Sequence, residues 1–142
     1  MSLRVHRVAR EAYCRVESRG GLPDSEKKKY GAIAHKLPGL ILQNGLAQAT
    51  GFLLAKGSSS PEYLMLLDDL NVVLRAGGTL DVADRHALHQ DIIAADLNQT
   101  LKLTRQALEA SGWIKRYVQG LLRVDATGND ADVQEADECR HN

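Results

Sequence analysis

The chain has 142 residues and a mass of 15.5 kDa, which is the size of one domain and leaves no room for two. Aromatic residues make up only 4% of it, and the 21 leucines and 17 alanines outnumber the β-branched residues, so the composition favours helices over strands. With 44% apolar residues, 25% charged residues and 18 basic against 18 acidic side chains, the chain is neither disordered throughout, collagen-like nor strongly basic.

Charge is unevenly distributed along the chain. Residues 1–36 carry nine Lys or Arg against four Asp or Glu, residues 37–123 carry eight of each, and residues 124–142 carry one against six. The three segments therefore have net charges of +5, 0 and −5. Without its acidic end the chain is mildly basic, which permits a phosphate-rich partner but does not by itself indicate one.

The two cysteines and the N-terminal residues indicate a reducing compartment. Cys139 falls in a segment that we expect to be unstructured, so a structural disulfide with Cys14 is not expected, and we predict that Cys14 is buried by packing. Charged residues interrupt the first 21 residues too often for a signal peptide, and no apolar run approaches the roughly 18 residues of a membrane span. We expect a cytosolic protein that does not contact a membrane.

Helical periodicity begins at the N-terminus. Valine and alanine recur at helical spacing over residues 2–18, which predicts a first helix. A second helix is predicted to start after Pro23 and to break or kink at Leu37, because Pro38 disfavours helical geometry in the residue before it. A third helix would take Pro38 as its first residue and end at Gly57.

The second half of the chain continues the helical pattern. A fourth helix is predicted from Pro61 to the Gly77-Gly78 pair, followed by a shorter one over 81–95. Residues 96–122 are predicted to form a long helix or a continuation of the shorter one, and the pattern does not place the exact break. The sequence therefore predicts an all-α fold, a compact bundle of five or six helices.

Residues 1–123 are predicted to form this single helical domain. Residues 124–142 contain few large apolar side chains, so they cannot bury enough surface to offset the entropy lost on ordering. We expect them to form a disordered acidic tail.

Candidate catalytic and metal-binding residues do not form a convincing pattern. His86 and His89 are three residues apart and could approach one metal ion, but there is no HExxH and no second Cys/His pair. The adjacent Asp68 and Asp69 would diverge by about 100° on a helix, which is poor geometry for a carboxylate dyad. The glycines match no phosphate-binding loop. We expect no catalytic residues, no metal and no cofactor.

The long last helix carries a charged stripe. Counted from the first of them, its members fall at offsets of 0, 3, 7, 10, 14 and 21 residues: Lys102, Arg105, Glu109, Gly112, Arg116 and Arg123. Lys115 lies about 100° to the side. This stripe could follow a phosphate backbone, with Gly112 allowing close approach, but on charge alone an ordinary solvated face is the more common explanation. The N-terminal arginines and the lysines at 27–29 form a second basic region with the same ambiguity.

Three further polar or aromatic residues leave alternatives open. Trp113 has apolar neighbours, and we interpret it as a core anchor in preference to a base-stacking platform. Asn44 and Gln48 are predicted to stand one turn apart on the third helix. Their amides could contact RNA, a neighbouring subunit or the helix backbone, and spacing does not choose among these.

The segment from Lys29 to Leu53 contains, in order, Lys-Tyr, Leu-Pro, an isoleucine, Asn-Gly-Leu and Phe-Leu. A second signature, Trp-Ile-Lys-Arg, occupies residues 113–116. In this order and spacing the motifs resemble the small-subunit family of the CRISPR type III-B Cmr complex, over roughly residues 1–123. The chain departs from the family pattern in its acidic tail and at Gly51, where a larger residue is expected.

The resemblance implies an all-helical subunit without an active site. Such a subunit is present in several copies along a filament of backbone subunits with a large subunit, where it helps to hold guide RNA and target RNA. Phosphate contacts would be independent of sequence, since base pairing with the guide supplies specificity. The candidate nucleic-acid-binding residues are Lys115 and Arg116 from the motif, Lys102 and Arg105 from the stripe, and Lys36, Asn44 and Gln48 in or beside the first segment.

Two other functions compete with this interpretation. One is a purely structural module whose helical faces dock protein neighbours while its cations are solvated. The other is an uncharacterised enzyme that uses His86 and His89.

Overall fold

The computed structural model describes residues 2–78, 80 and 84–128, and within these ranges it contains six α-helices and a final π-helical turn. The elements are α1 (Ser2–Arg19), α2 (Asp24–Asn44), α3 (Leu46–Gly57), α4 (Pro61–Ala76), α5 (Arg85–Ala94), α6 (Leu97–Tyr117) and the π-helical turn Val118–Leu122. The predicted all-α bundle is confirmed. None of the described helices is long and apolar enough to cross a membrane.

The central element of the bundle is α4, which touches each of the other five helices. Its leucines and valines recur every three or four residues and are almost completely buried: Leu66, Leu67, Leu70, Val73 and Leu74. The helices α1, α2 and α6 pack around it, with α6 packing against both α1 and α2, while α3 and α5 cover one side. Burial of these apolar faces, rather than helix propensity, supplies most of the stability of such helices.

Of the break or kink predicted at Pro38, the break is wrong, and so is the start of a third helix there, because α2 runs through that residue to Asn44. Proline removes one backbone donor, so the Ala34 carbonyl loses its usual helical partner. Leu37 and Ile41 nevertheless lie on one continuous buried stripe with Ala34, and their burial offsets that loss. The helix ends instead at Gly45, whose φ of 86° and ψ of 159° are open to glycine and strained for other residues.

This change of boundary also corrects the placement of two candidate residues. Asn44 is the last residue of α2, and Gln48 belongs to the first turn of α3. The two amides therefore lie on different helices, and the prediction that they stand one turn apart on a single helix is wrong.

The last two helices begin at aspartates, and α6 is a separate helix from α5, which settles the alternative that the sequence left open. Asp84 and Asp96 cap α5 and α6, their side chains accepting hydrogen bonds of 2.8 Å from the backbone N–H groups of Ala87 and Gln99. The fifth helix was predicted from residue 81, and residues 81–83 lie outside the described part of the chain. After Tyr117 the chain forms the π-helical turn.

The chain beyond α6 returns to α2. Val124, which the sequence analysis placed in the tail, is buried with 2% exposure. Its carbonyl oxygen accepts a hydrogen bond of 2.7 Å from His35 Nε2. Gly31 permits this contact, since a Cβ atom there would lie 2.6 Å from the Val124 side chain. Residues 129–142, the rest of the predicted tail, lie outside the described residues, as does Cys139.

Candidate nucleic-acid interface

The charged stripe of α6 faces away from the core. The buried side of the helix consists of Leu103, Ala107, Ala110, Ser111 and Ile114. About 180° away, Lys102, Arg105 and Arg116 are exposed, as the spacing predicted. Within the described residues, no ion pair engages Lys102 or Arg105. We call Lys102, Arg105, Gly112 and Arg116 the α6 ridge.

The acidic residue within this stripe is paired with a cation from another helix. Arg4 of α1 donates to both carboxylate oxygens of Glu109, with Nη1 at 3.0 Å from Oε2 and 3.3 Å from Oε1. Arg4 also donates to the carbonyl oxygen of Gly77 at 3.2 Å, which anchors it to the end of α4. Because Glu109 is already neutralised, it does not cancel the positive charge of the α6 ridge.

An aromatic cluster supports Arg116. Trp113 and Tyr117 stack with ring centroids 5.8 Å apart, and Tyr13 of α1 meets Tyr117 edge-on at 5.4 Å. The Arg116 guanidinium lies 5.3 Å from the centroid of Trp113, which is a cation–π distance. Trp113 is half-buried at the edge of the core, so the predicted core anchor also carries Arg116 on its outer side.

A shallow depression of about 250 Å³ runs along the middle of the α6 ridge, lined by Leu108, Glu109, Gly112, Trp113 and Arg116. Gly112 keeps it open, because no atom lies within 4 Å of the position that a Cβ atom would occupy. A strand backbone could approach the helix closely there, as the sequence suggested.

The other candidate residues are spread along the bundle. Gly31, in the first half of α2, lies against Val118, just past the end of α6, so these two packed helices run antiparallel. At about 1.5 Å per residue, Lys36 then stands about level with Trp113, and Asn44 about level with Arg105. Lys36, Asn44 and Gln48 are all exposed, and Lys115 is half-buried beside the α6 ridge. The structure thus brings Lys102, Arg105 and Arg116 onto one face and leaves the amides at the opposite end from Arg116.

A buried ionic cluster, which the sequence analysis missed, holds α1, α2 and α4 together. Asp69 is fully buried and accepts from Arg15 Nε at 2.8 Å, from Arg19 Nε at 3.0 Å and Nη2 at 2.8 Å, and from the Tyr30 hydroxyl at 2.5 Å. Burial, reinforced by the Asp69 charge, raises the pKa of Tyr30 well above its usual value. The available signal was the position of Asp69, three residues after Leu66 on the apolar stripe of α4.

Asp68 and His89 attach α5 to the bundle. Arg85 binds Asp68 with two contacts, of 2.9 Å from Nε and 2.6 Å from Nη2. His89 Nδ1 lies 2.7 Å from the Thr50 hydroxyl oxygen. A Cβ atom at Gly51 would lie 3.5 Å from the His89 ring, which is an ordinary van der Waals contact, so the packing of α3 on α5 does not require glycine there. The two aspartates therefore act in packing and not as a dyad.

Neither the histidines nor Cys14 build a reactive site in the described ranges. No group of three His, Cys, Asp or Glu side chains there could hold a metal ion. The predicted burial of Cys14 is wrong, since its side chain is exposed. Ala12 and Val16 define the buried stripe of α1, and Cys14 lies about 200° from each of them around the helix.

Comparison with known proteins gives concordant matches. The family model described as "CRISPR-associated protein (Cas_Cmr5)" matches residues 4–121, from α1 into the π-helical turn. A curated protein of Thermus thermophilus, "CRISPR system Cmr subunit Cmr5", is 34% identical over 114 residues, covering 80% of this chain and 91% of that protein. The crystal structure of a CRISPR-associated Cmr5 family protein from Thermus thermophilus is similar with a TM-score of 0.73 and 33% identity, covering 85% of this chain and 98% of that one.

Proposed function

Because the chain belongs to the Cmr5 family of CRISPR-associated proteins, we propose that it is the small, non-catalytic subunit of a type III-B Cmr ribonucleoprotein complex. In that complex it packs beside the backbone and large subunits and beside further copies of itself. It helps to hold guide and target RNA through the α6 ridge.

The observation that carries the RNA role is the unopposed positive charge of the α6 ridge. Lys102 and Arg116 are 14 residues apart, which is about 21 Å along the helix axis. Arg4 neutralises Glu109, the acidic side chain between them. Contacts from such a ridge to phosphates carry no sequence information, which suits a subunit whose target is chosen by base pairing.

The polar clusters of the chain support a non-catalytic role. Asp69 is saturated by two guanidinium groups and a phenol, and both oxygens of Asp68 are engaged by Arg85. Their hydrogen bonds join helices. A carboxylate held in this way orders the bundle and is poorly placed to exchange protons with a substrate.

Each copy offers few cations, so the α6 ridges of several copies must act together to bind one RNA strand. Phosphate contacts weaken steeply with salt, and a single copy with three or four of them binds weakly under physiological conditions. Several copies along one strand raise the effective affinity without any new contact.

Charge reversal within the reconstituted complex tests this role. In the double variant K115E/R116E we expect assembly to be retained while target-RNA capture falls about tenfold or more. The slope of log affinity against log salt should flatten by about 1.4 per copy, since each lost contact to a single strand removes about 0.7. A second variant, K102E/R105E, should act in the same direction and leaves the Trp113 cluster untouched.

A control is K56E, which reverses one cation on α3, outside the α6 ridge and outside the second basic region, and is compared with the single ridge variant R116E. We expect this variant to capture RNA as the wild type does. Normal capture by the ridge variants, or equal losses in ridge and control variants, would contradict the RNA role.

One observation favours the alternative of a purely structural interaction module. At the junction of α5 and α6, Ile93, Leu97 and Leu101 are 61%, 74% and 55% exposed. Apolar side chains left in water in this way are typical of surfaces that dock protein partners. This alternative predicts two results together. Changing the three side chains to serine abolishes assembly of the complex, and the ridge variants capture RNA as the wild type does.

A further inference from the structure

The described chain ends on the surface of α2. Gly128, with φ of 85°, lies against the first turns of that helix. A Cβ atom at Gly128 would be 3.4 Å from the Lys28 carbonyl oxygen and 3.7 Å from the Ala32 Cβ atom. Val124 is fixed just before this point by burial and by the hydrogen bond from His35. Whatever follows residue 128 therefore starts beside Lys28.

The surface at this exit is basic. Lys28 and Lys36 are exposed and flank Ala32 on one stripe of α2, and we call these three residues the α2 basic face. No hydrogen bond or ion pair found in the described ranges engages either lysine. A depression of about 140 Å³ adjoins the face and is lined by Asp24, Lys27, Lys28, Leu122, Arg123 and Val124. Asp24, the aspartate of this lining, is paired with Lys27, with Oδ1 at 3.6 Å from Nζ.

The segment that follows has the complementary charge and sufficient length. Residues 129–142 contain five acidic residues, Asp130, Asp132, Glu135, Asp137 and Glu138, against the single Arg140. Lys28 and Lys36 are eight residues apart, which is about 12 Å along the helix. Fourteen residues can span up to about 46 Å when extended, so the segment reaches both lysines with residues to spare.

We propose that residues 129–142 dock back onto the α2 basic face of the same chain and shield it electrostatically. Lys36 is also a candidate RNA-binding residue, so the segment and an RNA strand compete for the same cation. The competition with RNA rests on the proposed function, whereas the docking itself does not.

A spin label on the native Cys139 tests the docking in the full chain. With Cys14 changed to serine, Cys139 is the attachment site, and the label broadens the amide signals of residues near it. We expect broadening centred on residues 28–36 at low salt. It should disappear at high salt, because exposed charges are screened. Broadening that is absent from α2, or spread evenly over the surface, would overturn the docking.

Two charge variants and a mixing control sharpen this measurement. Neutralising the segment with D130N, D132N, E135Q, D137N and E138Q, or reversing the face with K28E/K36E, should abolish the broadening, whereas K56E should retain it. The spin-labelled chain without isotopes, mixed with isotope-labelled and spin-free chain, should give no broadening. If it does, the segment docks on a second copy and the intramolecular proposal is overturned.

The competition is measured separately, in the reconstituted complex with a polyuridine strand as probe. The neutralised variant should bind the strand several-fold more tightly than the wild type at low salt, with the difference shrinking as salt is added. Equal affinities despite observed docking would overturn the shielding. If neither the wild type nor the neutralised variant binds the strand, the proposed RNA role is refuted. The docking is then decided by the spin-label measurement alone.

Discussion

Asp69 joins three helices through one buried carboxylate. Its oxygens accept from Arg15 and Arg19 of α1 and from Tyr30 of α2, while Asp69 itself belongs to α4. As neighbours in the sequence, Asp68 and Asp69 differ in nothing but position, and their spacing argues only against a catalytic dyad. In the structure only Asp69 faces α1 and α2 from the apolar stripe of α4. Local spacing does not reveal how these helices pack, so it could not tell the two aspartates apart.

Truncating the two aspartates should have very different effects on stability. Asp69→Ala leaves the buried Tyr30 hydroxyl without its acceptor and two guanidinium groups without their anion, so we expect a loss of about 3 kcal/mol in the free energy of unfolding. Asp68→Ala breaks a pair whose side chains are each 32% exposed, and should cost about 0.5 kcal/mol. Urea unfolding followed by helical circular dichroism measures both. Equal losses would show that the buried cluster contributes no more than the surface pair.

Tyr30 should make stability depend on alkaline pH. Burial and the Asp69 charge raise its pKa in the folded chain well above the usual value of 10.0. As the pH rises past 10 the unfolded chain loses the phenolic proton first, so this stabilisation is complete below pH 10 and declines above it. The decline approaches about 1.4 kcal/mol per pH unit. Tyr30→Phe should lose about 1 kcal/mol at neutral pH and show a shallower alkaline decline, and parallel curves would contradict the assignment.

At the scale of elements, α2 and α3 show how packing overrides a local signal. The chain contains both a helix-disfavouring proline and an Asn-Gly pair seven residues later, and the boundary falls at the second. Proline weakens a helix that the burial of Leu37 and Ile41 maintains, whereas no packing can replace the backbone freedom of Gly45. Helices without such competing signals, α1, α4 and α6, were predicted within a few residues.

Replacing two exposed glycines of this region by alanine should have opposite effects. Gly45→Ala meets no atom within 4 Å, so its whole effect is backbone strain at positive φ, and we expect a loss of about 1–2 kcal/mol. Gly39→Ala lies in the middle of α2 with equally open space, and should gain about 0.5–1 kcal/mol in stability. Thermal unfolding of both variants checks the boundary, and a gain at Gly45 would contradict it.

At the scale of the whole molecule, the folded body extends past the predicted boundary at residue 123. Composition predicted an acidic end with little apolar surface, but one valine at its start is part of the core. The pocket that receives Val124 is created by Gly31 and Val118, which are distant in sequence from each other. No inspection of residues 124–142 alone could have found it.

Two truncations locate the end of the domain. In high salt, where the proposed docking of residues 129–142 is screened, a chain that ends after residue 128 should unfold at the wild-type urea concentration, because every described core contact is kept. A chain that ends after residue 123 loses the buried Val124 side chain and the hydrogen bond from His35, and should be less stable by about 2–3 kcal/mol. If the two truncated chains are equally stable, Val124 is not part of the cooperative unit.

The position of α1 has a consequence for the order in which the chain folds during synthesis. Among the described helices α1 leaves the ribosome before the others, yet it packs on α4 and α6, and its Arg4 pairs with Glu109, 105 residues later. At 5–20 residues per second, the apolar side of α1 waits roughly 5–20 seconds for the last of these partners. Until α6 emerges, Val8, Ala12 and Val16 have no complete burial site, so the nascent chain stays exposed to aggregation and to proteases throughout that interval.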